Sequence, residues 1–431
     1  MKAKNKTAIV IISGSAGELD WIMPILDYLL NNRFKIKIIF LTRLALKSVK
    51  KNNMCNEFIK QENSEIDVIS VGGYFFEKIE RLSYISHRLS LKLKINRIPL
   101  INKIYNLYEK ILENIFMRVL PSDIKNFKKE KYLFISEFPS LRRPRDIWIR
   151  NFFSRSIFFY CPHSPHIYTE ELEREYPELD CLDYNKRFFL LLGDPGDYHI
   201  LNDGRELASA NLEKVYIGHP KYSNIWLRNL RKSAMDFRST YSTRKKINII
   251  VLSRGFGSVI DQEGHINLVE TTVKTIHKHI PSYTLLVKKH PRETFSHWDN
   301  VINKYSSVEV VTDHISQLAA KADLVVSFWG SGSMDCFALG VPVIEYWDPN
   351  KYPKQQVSEK DKFTTIYRKL GIVQSANNKE ELQAVLLSLI AGNCKMQLSG
   401  PHPFFGKIIK RSNQWDKKIR KILLSHNLIN N

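Results

Sequence analysis

Short β-branched apolar runs alternate with helical stretches along this chain in two separate series, and no other feature restricts its fold as strongly. Thr7–Ile12 is an apolar run that stops at Ser13-Gly14-Ser15-Ala16-Gly17. A helical pattern follows, with Trp21, Ile22, Ile25, Leu26, Leu29 and Leu30 on one face, and Phe34–Leu41 reads as a second strand. Strand, glycine turn, helix, strand opens a βαβ unit and predicts a parallel sheet. Further strands are expected at Ile66–Val71, Tyr132–Ile135, Ser156–Tyr160, Phe188–Leu192 and Val215–Ile217. The second series begins at Ile247–Leu252. It continues through Tyr283–Val287, Val308–Val311, Leu324–Phe328 and Val341–Tyr346, with helices near 267–279, near 316–320 and after Ser331.

A chain of 431 residues is too long for one ordinary core and long enough for two of roughly 200 residues each. The expected fold class is α/β: two doubly wound, Rossmann-like domains facing across a cleft, with the C-terminal helix crossing back to the first domain. Residues 1–222 would form the first domain, including a basic helical region at 75–130 punctuated by Pro99 and Pro121. Residues 223–246 would be a polar, basic connector and 247–400 the second domain. The tail, 401–431, carries a basic amphipathic helix over Lys407–Leu423.

Composition narrows the function classes. With 43% hydrophobic and 25% charged residues, the chain is globular in type. Its five cysteines lie scattered with no CxxC pair, which indicates neither a zinc site nor a disulfide framework and fits a reducing compartment. Ala8–Ile12 is too short for a signal-peptide core or a membrane span, so a cytoplasmic location is expected. The formal charge of +21 suits an anionic partner: nucleic acid, an anionic membrane surface, or a phosphate-bearing substrate. A lysine-rich solvated surface would read the same way. No nucleic-acid motif is present, so nucleic acid is not expected.

Three segments carry chemistry. In Leu324–Tyr346 (LVVSFWGSGSMDCFALGVPVIEY) a strand meets a glycine-containing turn, and a helix begins near Ser331, Gly332 and Ser333. Open backbone N–H groups and the positive end of a helix dipole suit a phosphate there. An ordinary serine-capped βα turn would look alike. Lys288-Lys289-His290-Pro291-Arg292 leaves the strand before it as a basic cluster able to meet a diphosphate or phosphodiester, or as a solvated loop. Ser13-Gly14-Ser15-Ala16-Gly17-Glu18 is a turn in which glycines permit positive φ, with Glu18 and Asp20 at the ligand edge. Glu18 is a candidate base, or only a first-turn residue that complements the dipole. Arg254 and Gly255, in Ser253-Arg254-Gly255-Phe256-Gly257, follow the first strand of the second domain and would line the same phosphate site.

Taken together, these segments resemble GT-B enzymes that use nucleotide-activated ulosonic acids or polyols. The His290-Pro291 pair is similar to the HP motif of bacterial sialyltransferases, and Ser331 and Ser333 to the serine motif that follows it. KKHP and GSGSMDCFALGVPVI are equally similar to the glycerophosphate and ribitol-phosphate polymerases of wall teichoic acid synthesis, as is Gly218-His219-Pro220-Lys221-Tyr222. The Ser13–Glu18 loop resembles that of the Kdo transferases. The resemblance implies that His290 contacts the donor phosphate and that Glu18, with Asp20 as the fallback, deprotonates the acceptor hydroxyl. Asp261-Gln262-Glu263-Gly264, the nearest string to the acidic motif of the sialyltransferases, falls in the wrong domain, so no base role is carried over to it.

The expected activity is a glycosyltransferase moving a sugar, such as an ulosonic acid, from a nucleotide-sugar donor to a glycan or lipid-linked glycan acceptor. Rival readings are a CDP-polyol phosphotransferase, a non-hydrolysing UDP-sugar 2-epimerase, and a non-catalytic glycan assembly protein. His163 and His166, in Cys161-Pro162-His163-Ser164-Pro165-His166, would supply acceptor contacts. Two histidines without a third ligand at a fitting spacing, and no DxD pair, predict neither a metal nor another cofactor.

Overall fold

The computed structural model describes residues 6–60, 66–70, 131–137, 149–162, 183–193, 212–241, 246–255, 260–290, 293, 297–352, 364–391 and 403–429, with scattered positions from 78 to 115. The chain divides into two compact units. Unit 1 comprises Met1–Ser164, Pro177–Lys221 and Gln414–Asn431; unit 2 comprises Pro165–Tyr176 and Tyr222–Asn413.

Unit 1 is built on β1 (Lys6–Ile12), β2 (Phe34–Phe40), β3 (Ile66–Ser70), β4 (Leu133–Glu137), β5 (Ile157–Cys161), β6 (Phe188–Leu192) and β7 (Leu212–Tyr216). They form one sheet in the order β3-β2-β1-β4-β5-β6-β7, and every neighbouring pair is parallel. Its helices include α1 (Ala16–Asn31), α2 (Arg43–Lys51) and α3 (Asn53–Ile59). Ala8, Ile9, Val10, Leu133, Ile135 and Ile157 are wholly buried. Burial on both faces explains why these strands read as continuous apolar runs rather than alternations.

Unit 2 carries β8 (Ile247–Leu252), β9 (Tyr283–Lys288), β10 (Val308–Val311), β11 (Leu324–Ser327), β12 (Val343–Tyr346) and β13 (Gln374–Ala376). The order is β10-β9-β8-β11-β12-β13, again parallel throughout. The helices are α4 (Asn224–Tyr241), α5 (Gln262–His279), α6 (Trp298–Ile302), α7 (Ile315–Ala319), α8 (Gly332–Ala338), α9 (Ile366–Lys369), α10 (Lys379–Ile390) and α11 (Pro403–Ser412). Two α/β doubly wound sheets are therefore present. The strand β13 was not legible in the sequence, because three residues of Gln-Ser-Ala carry no strand pattern; α10 follows it with an Asn378 cap and buried Leu382 and Leu386.

The tail differs from expectation in one respect. Lys407–Leu423 does not run as one helix: α11 ends at Ser412, and α12 (Trp415–Ser425) begins after a break. The Ser412 hydroxyl donates back to the Ile408 carbonyl at 2.7 Å, and the Asn413 side-chain oxygen accepts the Asn224 N–H at 2.7 Å. The break lets the two halves pack in different units. As expected, α12 returns to unit 1, where Trp415, Ile419, Ile422 and Leu423 are buried. Lys418 Nζ donates to the Tyr216 carbonyl at 2.7 Å, and His426 Nε2 donates to the Lys186 carbonyl at 2.8 Å.

Candidate functional site

Each sheet reverses its strand succession once, between β1 and β4 in unit 1 and between β8 and β11 in unit 2. The two connections that leave such a point turn to opposite faces of the sheet, which opens a crevice at the strands' carboxyl ends where ligands bind in this architecture. The candidate residues fall at these two edges.

In unit 2, β8 lies between β9 and β11. Ser253-Arg254-Gly255 leaves β8, Lys289-His290 leaves β9, and Phe328-Trp329-Gly330-Ser331 leaves β11. Neighbouring strands are ~4.8 Å apart, so the ends of β9 and β11 lie about 10 Å apart with Arg254 between them. Trp329 adopts φ 57°, a left-handed conformation that costs a bulky residue about 1–2 kcal/mol and that clusters at functional turns. Its ring stacks on Trp347 at 5.9 Å, and the Arg254 guanidinium sits 4.8 Å from its centroid. A guanidinium on an indole face is held there by the ring's quadrupole.

Beside Arg254, Ser331 is exposed and makes no side-chain cap to α8, while a side chain at Gly330 would meet nothing within 4 Å. Gly332 packs close to β8: a Cβ there would sit 3.0 Å from Leu252. Ser333 is wholly buried and its hydroxyl donates to Ser327 at 3.0 Å. Lys288 Nζ donates to the Thr312 carbonyl at 2.7 Å, and Lys289 pairs with Asp299 at 3.0 Å. Both ammonium groups thus have partners within their own unit, and Arg254 adds a guanidinium at the reversal point.

Behind the edge lies a buried polar layer that sequence reasoning missed. Glu293, with a wholly buried side chain, accepts from the Ser253 hydroxyl at 3.2 Å and from the His290 N–H at 3.3 Å. Trp298 Nε1 donates to Ser253 at 2.8 Å. A Cβ at Gly255 would stand 2.4 Å from Glu293 Cγ and 3.0 Å from its Cα, so glycine is needed there for close approach. Farther along, Glu345 in β12 is wholly buried. It accepts from Thr365 at 2.7 Å and Arg368 Nε at 2.8 Å. Burial pushes its carboxyl above the usual carboxylate range, and Arg368 opposes that rise.

In unit 1, the Glu18 carboxylate turns back onto its own loop. It accepts from the backbone N–H of Ser13 at 2.8 Å, of Gly14, and of Ser15 at 3.2 Å, and with the Ser15 cap it closes a capping box. Gly14 does not take the positive φ expected of the turn. What requires glycine is space, because a Cβ would lie 2.6 Å from Glu18 Oε1. Gly17 donates its N–H to the Ser15 hydroxyl at 3.3 Å. A small depression at the β1/β4 edge is lined by Glu18, Glu137, Cys161 and Pro162. Glu137 ends β4, and no motif in the sequence marks it. Asp20 is buried in an ion pair with Lys221 at 2.9 Å, and Lys221 lies over the Trp21 ring at 4.6 Å.

No protein-family model matches the chain, and no curated protein does. Solved structures do. UDP-GlcNAc 2-epimerase from Methanocaldococcus jannaschii is 15% identical, with a TM-score of 0.53 over 97% of this chain and 99% of that one. The wall teichoic acid polymerase TagF is 11% identical, with a TM-score of 0.53 over 98% and 89%. UDP-GlcNAc 2-epimerase from Neisseria meningitidis is 11% identical, with a TM-score of 0.51 over 97% and 99%. The architecture is GT-B.

Within this GT-B chain, Pro291, His163 and His166 lie outside the described residues, as do Phe256 and Gly257. Among the described residues, no group of three or more His, Cys, Asp or Glu is arranged to hold a metal ion. No helix there is long and apolar enough to cross a membrane.

Proposed function

We propose that this chain is a glycosyltransferase that moves a sugar from a nucleotide-activated donor to a cell-surface glycan acceptor, with unit 2 taking the donor. The observation that carries this reading is Arg254, stacked on the strained Trp329 at the strand reversal of unit 2. His290 and the exposed Ser331 flank it on the adjacent strand ends. In the reaction, the acceptor oxygen bonds to the anomeric carbon as that carbon's bond to the donor phosphate oxygen breaks. The hydroxyl proton passes to a carboxylate acting as base, and negative charge gathers on the departing nucleotide phosphate. Arg254, His290 and the backbone N–H groups at Ser331–Gly332 stabilise that charge. Glu18 is the candidate base by resemblance, and its carboxylate already accepts from three backbone donors; Glu137 lines the same depression. The mechanism requires no metal or cofactor.

The test is transfer with CMP-, CDP-, UDP- and GDP-activated donors. Arg254→Ala and His290→Ala should each lower turnover by about 10²-fold, the scale of one lost preorganised donor. Near-normal turnover in both folded variants would overturn the reading. The epimerase neighbours favour a second reading. The chain would then interconvert UDP-GlcNAc with no acceptor present, which a transferase does not do. A CDP-polyol phosphotransferase would instead move polyol phosphate from a CDP-activated donor. An assembly protein would show no melting shift with any nucleotide.

Attachment to an anionic membrane surface belongs to the same proposal. Ile104, Leu107 and Ile111 are 61%, 62% and 50% exposed, at spacings of three and four, with exposed Lys103 and Lys110 beside them. Apolar groups flanked by lysine suit an anionic headgroup layer. Sedimentation with phosphatidylglycerol vesicles at low salt, abolished by Leu107→Asp, is the expected result; no sedimentation at any salt would refute it.

A further inference from the structure

His265 is wholly buried on α5, between the two loops that carry Arg254 and His290, and its hydrogen bonds define its protonation. The His297 backbone N–H points at its Nε2 from 3.3 Å. A backbone N–H only donates, so Nε2 is the accepting, unprotonated nitrogen. Its Nδ1 therefore carries the hydrogen and donates to the Arg254 carbonyl at 2.9 Å. In this neutral form a single ring ties the segment after β8, at Arg254, to the segment after β9, at His297. The same segment is tied a second time through Glu293, which holds Ser253 on one side and the His290 N–H on the other.

A second proton on the ring has one place to go, Nε2. There it would face the His297 N–H, donor against donor, and lose that bond. The nearest acceptor is Glu293 Oε1, 3.9 Å from Nε2, the carboxylate that shapes the His290 turn. We infer that His265 is a positioning residue whose neutral ring holds the Arg254 and His290 segments in register for an anion, and whose protonation draws Glu293 away from the His290 turn and loosens that register. The inference rests on the proposed donor site in unit 2.

The groups facing the ring fit this role. Glu293 and Lys289 come from the loop after β9, and His297, itself bonded to Glu270 at 2.7 Å, precedes α6. Burial depresses the imidazole below its usual range. The Arg254 carbonyl and Glu293 oppose that shift, while His297 and Lys289 add to it. The ring is thus neutral near pH 7 and takes up its proton on acidification.

The tautomer is read by two-bond 15N–1H correlation on protein labelled in its histidine rings, with His265→Gln identifying the signal. The expected pattern is a neutral ring bearing its hydrogen on Nδ1 at pH 7.5; the Nε2–H form, or a charged ring, would overturn the inference. CDP and UDP binding by calorimetry should weaken about tenfold as pH falls from 7.5 and that ring takes up its proton, below the ordinary imidazole value of about 6.5. His265→Gln should remove the fall. His265→Asn, which keeps a donor near Nδ1, serves if the glutamine variant misfolds. Affinity that stays flat while the ring titrates would sink the inference and leave the transferase reading standing. If neither nucleotide binds at any pH, the transferase reading falls instead. Amide exchange at His290 and His297 then decides for His265: acid-induced acceleration lost in the glutamine variant supports its role, and unchanged exchange refutes it.

Discussion

At the scale of single residues, the sites depend on where a carboxylate's lone pairs go. Glu18 was marked by its place after a small-residue turn, and the structure shows it accepting from three successive N–H groups of that turn. Glu137 lines the same depression, yet its neighbours in sequence, Ser136 and Phe138, mark nothing. Gly255 is the position most sensitive to one added carbon. Gly255→Ala should push Glu293 off Ser253 and the His290 turn. The cost is about 1–3 kcal/mol for overpacking, and nucleotide affinity should drop about tenfold, or ~1.4 kcal/mol. Urea unfolding and calorimetry measure both; unchanged values would mean that Glu293 does not shape the edge.

At the scale of elements, α12 carries the clearest consequence. Burial, with the nearby Lys131 charge, holds the His426 imidazole below its usual range, against the opposing pull of the Lys186 and Tyr184 carbonyls. The unfolded chain binds the proton more tightly than the folded one. Stability is therefore fully present above the ordinary imidazole value of about 6.5 and is lost as pH falls from there toward the depressed folded value. The loss is at most about 1.4 kcal/mol per pH unit within that window. The urea midpoint should drop from pH 7.5 to 5.5, and His426→Gln should shrink that drop while leaving the share due to His265. An undiminished drop would contradict the docking of this tail through His426.

At the scale of the whole molecule, each unit has its own sheet and core, and the chain changes unit at Ser164–Pro165, Tyr176–Pro177, Lys221–Tyr222 and Asn413–Gln414. Calorimetry should resolve two transitions. Ile422→Ala, which removes a wholly buried side chain of unit 1, should lower one of them by about 2–5 kcal/mol. A nucleotide at 100 times its Kd should raise the other by about 2.7 kcal/mol. A single transition moved by both would show that the units unfold as one.

The two βα series were legible in the sequence because a strand buried on both faces must be apolar throughout, and a helix on a sheet must repeat its apolar face; both are local patterns. The segments at Arg254, His290 and Ser331 were legible for the same reason, since each follows a strand end. Other features lay beyond local pattern: the central position of β8, the pairing of Asp20 with Lys221 across two hundred residues of chain, the break at Asn413, and Glu345 within an apolar strand. Each depends on a partner distant in sequence. Tertiary structure alone decided them, because strand order and the satisfaction of buried charge are settled only when the whole sheet closes around them.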